Sequence, residues 1–340
     1  MQKPVTILTG FLGAGKTTFL NHLLRERPEV RYAIIENELG ERGIDNELVL
    51  TPADTIVEFN NGCLCCTLHD NLYDILNELH ERRSQFDEII IEATGVADPA
   101  GLAQPFITHP LIKKHFPLTA IICLVDAEHI EDQLRETEEA VSQITFSDIL
   151  LINKTDLVTG SYVKKLEETL RSMNPLAQVR SGHQQAFPPV GPGVGRRQTD
   201  DLLSGQAFGD GEGGFPVLRP AAHHPHDHTE GINSQTFVFD RPFQMEVLYH
   251  QLFVYLTFQA TGLYRMKGLV WLGGDDRQHL VQSVGKRLSF QQQREWTAGE
   301  ERRSVVVFIG KRLQRAGLQR LLDKCLVPIP STGARKHGQR

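Results

Sequence analysis

"GFLGAGKT", residues 10–17, decides the fold of this 340-residue chain. The spacing is Gly-x-x-x-x-Gly-Lys-Thr, with the apolar run "VTILTG" (5–10) before it and the amphipathic "KTTFLNHLLRER" (16–27) after it. A strand, a glycine-rich turn and a helix in that order form the context in which this spacing builds a phosphate cradle. Gly10, Gly13 and Gly15 let the backbone of the stretch, with Phe11, Leu12 and Ala14 between them, turn its N–H groups inward without Cβ clashes. Lys16 then reaches the β- and γ-phosphates, the Thr17 hydroxyl binds Mg²⁺, and Thr18 extends a helix N-terminus whose dipole favours the same anion.

Outward from this loop, "YAIIEN" (32–37), "EIIIEAT" (88–94), "TAIICLVD" (119–126) and "DILLIN" (148–153) are short, continuously apolar runs, as buried parallel strands are. Helical patterns alternate with them: "LHDNLYDILNELHERR", "IEDQLRETEEAVSQI" and "YVKKLEETLRSM". Repeated βα units predict an α/β domain over residues 1–181, a mostly parallel sheet with helices on both faces. Residues 182–231 are rich in Gly, Pro and His and read as a flexible linker. Residues 232–327 carry the strands "QTFVFD", "YRMKGLVWL", "HLVQSV" and "SVVVFIG" and the helices "PFQMEVLYHQLFVYLTF" and "LQRAGLQRLLDKCL", a smaller α+β domain. Residues 328–340 read as a disordered tail.

A net charge of −6 and the lack of a long basic stretch exclude nucleic acid as a partner. No apolar run approaches the roughly 18 residues of a membrane span. Met1 leads directly into the first strand with no secretory signal, and five cysteines, three of them clustered, do not make a disulfide framework. A reducing cytoplasm is the expected compartment.

"NKTD" (153–156) closes the "DILLI" strand at the edge where open α/β sheets bind ligands. The two carboxylate oxygens of Asp156 match guanine's adjacent N1–H and 2-amino donors, whereas adenine would present a lone pair there. Asn153 is expected to bond the far edge of the base, and the Lys154 stem to lie over the ring. Glu92, ending "IIIE", is the favoured carboxylate for Mg²⁺ or its water shell, with Asp126 as its rival.

"NNGCLCCT" (60–67) places Cys63, Cys65 and Cys66 at the start of a helix, where the dipole lowers thiol pKa values. Cys-x-Cys-Cys offers two or three sulfurs to one borderline-soft ion, with carboxylate or imidazole completing a tetrahedron. The alternative is a set of small buried residues. The acidic loop "IENELGERGID" (35–45) is the natural sensor of a γ-phosphate, and it carries Glu36 and Glu41. His109 is either an outside ligand or an ordinary surface histidine. The run "HHPHDH", with His223, His224, His226 and His228, either captures Zn²⁺, Ni²⁺ or Co²⁺ loosely or is only solvated.

Together "GFLGAGKTT", "ENELGERGID", "GCLCC", "IEATGVADP", "NKTD" and "YRMKGLVWL" resemble the CobW-type metal-chaperone GTPases of the SIMIBI class of P-loop proteins, near the YjiA branch. The resemblance implies slow hydrolysis of GTP to GDP coupled to delivery of zinc, or Co²⁺ or Ni²⁺, to a client metalloprotein. It implies metal ligands at Cys63, Cys65 and Cys66 and, in the nearest branch, at Glu36, Glu41, Cys65 and His109, as one site or two. A homo-oligomer is compatible with it. Two other classes compete: a P-loop kinase or biosynthetic enzyme with a structural zinc, and a metal store or sensor without turnover.

The base assignment has a direct test. Asp156→Asn sets an amide donor against a guanine donor, which costs about 1–3 kcal/mol for an unpaired buried group. The variant should therefore lose most of its preference for GTP over ATP in competitive nucleotide binding. An unchanged ratio would mean that "NKTD" does not read the base.

Overall fold

In the computed structural model, residues 2–36, 56–59, 68–183 and 232–328 are described. The first body is a seven-stranded sheet in the order β3-β2-β4-β1-β5-β6-β7. Its strands are β1 (Val5–Gly10), β2 (Tyr32–Glu36), β3 (Ile56–Phe59), β4 (Glu88–Glu92), β5 (Leu118–Asp126), β6 (Ile149–Asn153) and β7 (Gln178–Ser181). Every pairing is parallel. Around it run α1 (Lys16–Glu26), α2 (Leu68–Glu81), α3 (Pro99–Thr108), α4 (Pro110–His115), α5 (Ile130–Glu136), α6 (Glu138–Phe146) and α7 (Gly160–Met173).

The apolar strands are continuous because both of their faces are covered. Val5, Ile7, Ala33, Ile35, Ile89 and Ile91 pack beneath α2 and α3. Their neighbours Leu8, Ile34, Ile90, Ile122 and Leu151 meet Phe19, Leu20, Leu23 and Leu24 of α1 on the other side. Parallel pairing brings the last residues of the strands, Gly10, Glu36, Glu92, Asp126 and Asn153, to one edge.

One local reading changes, and further elements emerge that the sequence pattern does not mark. The pattern at 130–144 is two helices, because Thr137 leaves helical geometry and its hydroxyl caps α6 through Ala140 N at 3.3 Å. β3 and β7 are too short to stand out as apolar runs. α3 and α4 begin at Pro99 and Pro110, where proline suits a first helical turn, and Asp98 caps α3 through Ala100 N.

The second body is a five-stranded antiparallel sheet, β11-β10-β9-β12-β8. Its strands are β8 (Ile232–Phe239), β9 (Leu263–Trp271), β10 (Arg277–Val284), β11 (Arg287–Glu295) and β12 (Ser304–Lys311), with helices α8 (Met245–Phe258) and α9 (Arg315–Asp323). β11, "RLSFQQQRE", lies at the sheet edge and is too polar to be read as a strand from its sequence. Alternation sorts β9 and β12 by face. Met266, Val270, Val306 and Phe308 enter a core with α8 and α9, while Val305, Val307 and Ile309 pack on Leu176 of the first body.

Arg265 and Lys267 share that second face and bury their charges between the bodies. Arg265 Nη2 lies 2.7 Å and Lys267 Nζ 3.4 Å from Asp148 Oδ1. Asp148 Oδ2 accepts Ile121 N at 3.0 Å. Arg265 Nη1 also donates to Phe146 O and Ser147 O at the end of α6, at 2.7 and 2.9 Å. Burial alone would raise the Asp148 pKa; Lys267 and Arg265 more than offset this and hold it below its ordinary 3.8.

Removing one partner of a buried ion pair typically costs about 3–5 kcal/mol. Arg265→Met should lose that order of stability in chemical denaturation, since it also frees two helix-end carbonyls. Asp148's contribution is present above its unfolded pKa and is lost as pH falls through the lower folded value. The gap between wild type and variant should accordingly narrow in strong acid.

Candidate functional site

The phosphate loop leaves β1 at Gly10 and enters α1 at Lys16. Gly15 caps that helix with φ +96°, a left-handed conformation, and a Cβ there would lie 2.4 Å from Asn153 Nδ2. Only glycine satisfies both conditions. Lys16 is buried, and its ammonium folds over the loop, donating to Gly10 O at 3.0 Å and Phe11 O at 3.4 Å. Burial pulls its pKa down, with Glu92 acting in the opposite sense. A cation held without full hydration beside open backbone N–H groups is suited to a polyphosphate.

Thr17 Oγ1 donates to Glu92 Oε1 at 3.2 Å. The hydroxyl and carboxylate thus meet at the start of α1, a hard-oxygen pair of the kind Mg²⁺ takes beside phosphates. Asp126 is placed elsewhere: its Oδ2 receives Lys154 Nζ at 2.7 Å and lies 3.2 Å from His129 Nδ1, and its Oδ1 accepts Glu128 N. Asp126, Glu128 and His129 are the one group among the described residues whose ligand atoms lie within 4.8 Å of one another. The Lys154 ammonium already sits on its buried carboxylate.

The "NKTD" segment is anchored to the phosphate loop. Asn153 is 4% exposed, its Nδ2 donates to Ala14 O at 2.9 Å, and its Oδ1 accepts Lys154 N at 2.8 Å. Its amide bonds the phosphate loop because β6 ends directly beside Gly15. Lys154 takes a left-handed φ of 59°, and Asp156 follows on the short turn Thr155–Leu157 with its side chain exposed. The Asp156 carboxylate is exposed, while the strand end before it is tied to the phosphate loop through Asn153. Nothing in the sequence marks Asn153 as a strut, since the same residue type serves either role.

Cys63, Cys65, Cys66 and Glu41 lie outside the described residues, as do His223, His224, His226 and His228. The backbone of Glu36 ends β2 in register with Glu92. β3 runs to Phe59 at the same sheet edge, and the described chain resumes at Leu68, the start of α2. His109 joins α3 to α4: its Nδ1 accepts Ile112 N at 3.4 Å, and its ring meets Tyr73 of α2 edge-on at 5.7 Å. With Nδ1 accepting, the neutral ring carries its proton on Nε2. Metal binding through Nε2 would require the other tautomer and the loss of this cap. The remaining thiols are buried, and burial pushes Cys123 up to about 12 and Cys325 up to about 11, so neither is a ready ligand.

A parallel sheet with a glycine loop at its first strand, a Thr–Glu pair and an Asn-Lys-Thr-Asp turn define a P-loop GTPase domain, here joined to an antiparallel-sheet domain. The profile of the CobW/HypB/UreG nucleotide-binding domain matches residues 4–181, and that of the cobalamin synthesis protein CobW C-terminal domain matches residues 232–326. The chain belongs to the CobW family. It is 35% identical over 294 residues to the zinc chaperone YjiA of Escherichia coli (strain K12), covering 85% of this chain and 88% of that protein. It is 37% identical over 183 residues to the zinc-regulated GTPase metalloprotein activator 1 of Schizosaccharomyces pombe, covering 52% of this chain and 44% of that one. The solved structure of the Zn(II)-bound YjiA GTPase from E. coli superposes with a TM-score of 0.67 at 30% identity, over 96% of this chain and 99% of that one. No helix among the described residues is long and apolar enough to cross a membrane.

The strut makes a specific demand. Asn153→Ala removes its bonds and leaves Ala14 O and Lys154 N without them, in a place where one lost buried partner costs about 1–3 kcal/mol. GTP and GDP affinity should both fall by about tenfold or more in isothermal titration, while the melting temperature falls by only a few degrees and the protein stays folded. Preserved affinity would show that the two loops hold their places independently.

Proposed function

We propose that this chain hydrolyses GTP and couples the nucleotide cycle to the handling of zinc for a client metalloprotein. The observation that carries the reading is the shared sheet edge. The phosphate loop, the Thr17–Glu92 pair and the "NKTD" turn lie where β2 ends at Glu36 and β3 ends at Phe59, the two strands that border the acidic and cysteine-bearing segments. The names of the relatives, a zinc chaperone and a zinc-regulated GTPase metalloprotein activator, support the same class.

The backbone of Gly10–Thr18 and Lys16 bind the phosphates, and Asp156 selects guanine. Thr17 and Glu92 would hold Mg²⁺, which supplies positive charge to the transferring phosphoryl group when bound. Zinc is the cargo: Cys63, Cys65 and Cys66 hold it as thiolates, and Glu36, Glu41 or His109 complete its coordination. Co²⁺ or Ni²⁺ would compete for the same donors, and His223, His224, His226 and His228 would recruit the ion loosely. Thiolate chemistry of this kind suits a reducing cytoplasm.

If the acidic segment touches the γ-phosphate on one side and the metal on the other, the two ligands are linked, and each changes the other's affinity by the same factor. Zinc affinity, measured by chelator competition in the apo, GDP and non-hydrolysable-GTP states, should differ by about 5- to 150-fold between states. Cys65→Ser should remove most of the difference while leaving GTP affinity intact. Equal zinc affinity in all three states would leave a GTPase with a storage or structural metal and would end the chaperone reading.

A further inference from the structure

Between the nucleotide loop and the C-terminal domain lies α6, with a polar side chain in its middle that no role above uses. Gln143 is 1% exposed. Its Nε2 donates to Gly95 O at 3.0 Å and to Ala97 O at 3.4 Å. One residue earlier, Ser142 Oγ donates to Asp98 Oδ1 at 2.8 Å. α6 therefore grips the segment that follows Glu92 at three points.

That segment also touches the phosphate loop. A Cβ on Gly95 would lie 2.5 Å from Leu12 N and 2.9 Å from Leu12 Cα, so the two backbones pass at a separation only glycine permits. Three residues earlier in the chain stands Glu92, which accepts from Thr17. The Gly95–Ala97 turn is thus wedged between α6 and Leu12 of the phosphate loop, three residues along from the carboxylate that meets Thr17. Loss of Gln143's amide would leave the Gly95 and Ala97 carbonyls without this donor and let the wedge relax.

The other side of α6 belongs to the C-terminal domain. Glu138, in its first turn, accepts from Tyr264 Oη at 2.5 Å and pairs with Lys311. At its far end, Arg265 donates to Phe146 O and Ser147 O. One helix is therefore clamped at both ends by the second domain while its centre holds the turn beside the phosphates.

We propose that Gln143 is a positioning residue for the nucleotide reaction, and that α6 makes its hold on the Gly95–Ala97 turn depend on how the C-terminal domain is seated. The inference rests on the GTP-hydrolysis reading above. It assigns to the second domain a role in setting turnover, through the helix that Glu138 and the Arg265 guanidinium tie to it at either end.

The test uses the full chain with Mg²⁺ and compares wild type, Gln143→Ala, the surface pair Tyr264→Phe/Lys311→Met, and all three substitutions combined. Steady-state GTP hydrolysis, GDP affinity and melting temperature are measured for each. Gln143→Ala should lower kcat by about tenfold while KM for GTP and the Kd for GDP stay within about twofold, the signature of an interaction that matters to the transition state alone. The surface pair should lower kcat by about two- to threefold, and the combined variant should fall no further than Gln143→Ala, since both act through one element. Wild-type kcat in a folded Gln143→Ala would overturn the proposal, as would equal losses of GTP and GDP affinity that track a lowered melting temperature. Should Gln143→Ala not fold, the surface pair decides: an unchanged kcat there breaks the link through α6. A wild-type protein that hydrolyses no GTP would overturn the GTPase reading itself, and this inference with it.

Discussion

A carboxylate sealed from water must find its partners inside the protein, and the arrangement of the two domains follows from how Asp148 finds them. It sits 7% exposed just before β6, with one oxygen on the Ile121 amide and the other facing Arg265 and Lys267 of the second domain. Neither cation is accessible to solvent, so neither side can leave without stranding a charge in an apolar seam. Around this cluster the apolar residues of β12 pack on Leu176, and at the surface Lys311 pairs with Glu138. The consequence is that the two bodies are pinned at this seam, and a change there is felt by the strand and helix that border it.

β6 carries that constraint toward the nucleotide. All five of its residues are buried, and it ends at Asn153, whose amide donates to the carbonyl of Ala14 in the phosphate loop. Gly15 must be glycine in part because Asn153 lies against it. The phosphate loop and the Asn153–Asp156 turn, two distant stretches of sequence, are therefore tied to each other. Lys16 and Thr17 can be held ready, with the ammonium over its own loop and the hydroxyl on Glu92, because the backbone beneath them is fixed. Preorganised donors of this kind are what phosphoryl transfer requires, since its chemistry is mostly positioning and charge.

The family relation places these features in a wider setting without replacing their physical account. Members named as zinc chaperones share the two-domain layout over most of this chain. In this chain the strands that end at Glu36 and Phe59 share an edge with the phosphate loop. The two buried thiols, Cys123 and Cys325, stand apart from that arrangement: burial keeps them protonated and they serve as packing.

Much of this was legible in the residues alone. Continuous apolar runs of strand length, alternating with amphipathic helical patterns, read as strands covered on both faces, and the glycine spacing of residues 10–17 suits a phosphate, so the parallel sheet and its loop could be argued from local chemistry. Elements with weak local signals escaped: β3 and β7 are short, β11 is a polar edge strand, and the break at Thr137 lies inside an unbroken helical pattern. The tertiary structure alone decided the long-range polar partnerships. Arg265 and Lys267 in an apolar strand announce a buried charge, but not that its partner is Asp148, more than a hundred residues away. Asn153 as a strut and Gln143 as a clamp are likewise invisible in sequence. A side-chain amide has the same local chemistry whether it meets a base, a carbonyl or water, and only the packing of distant strands selects which.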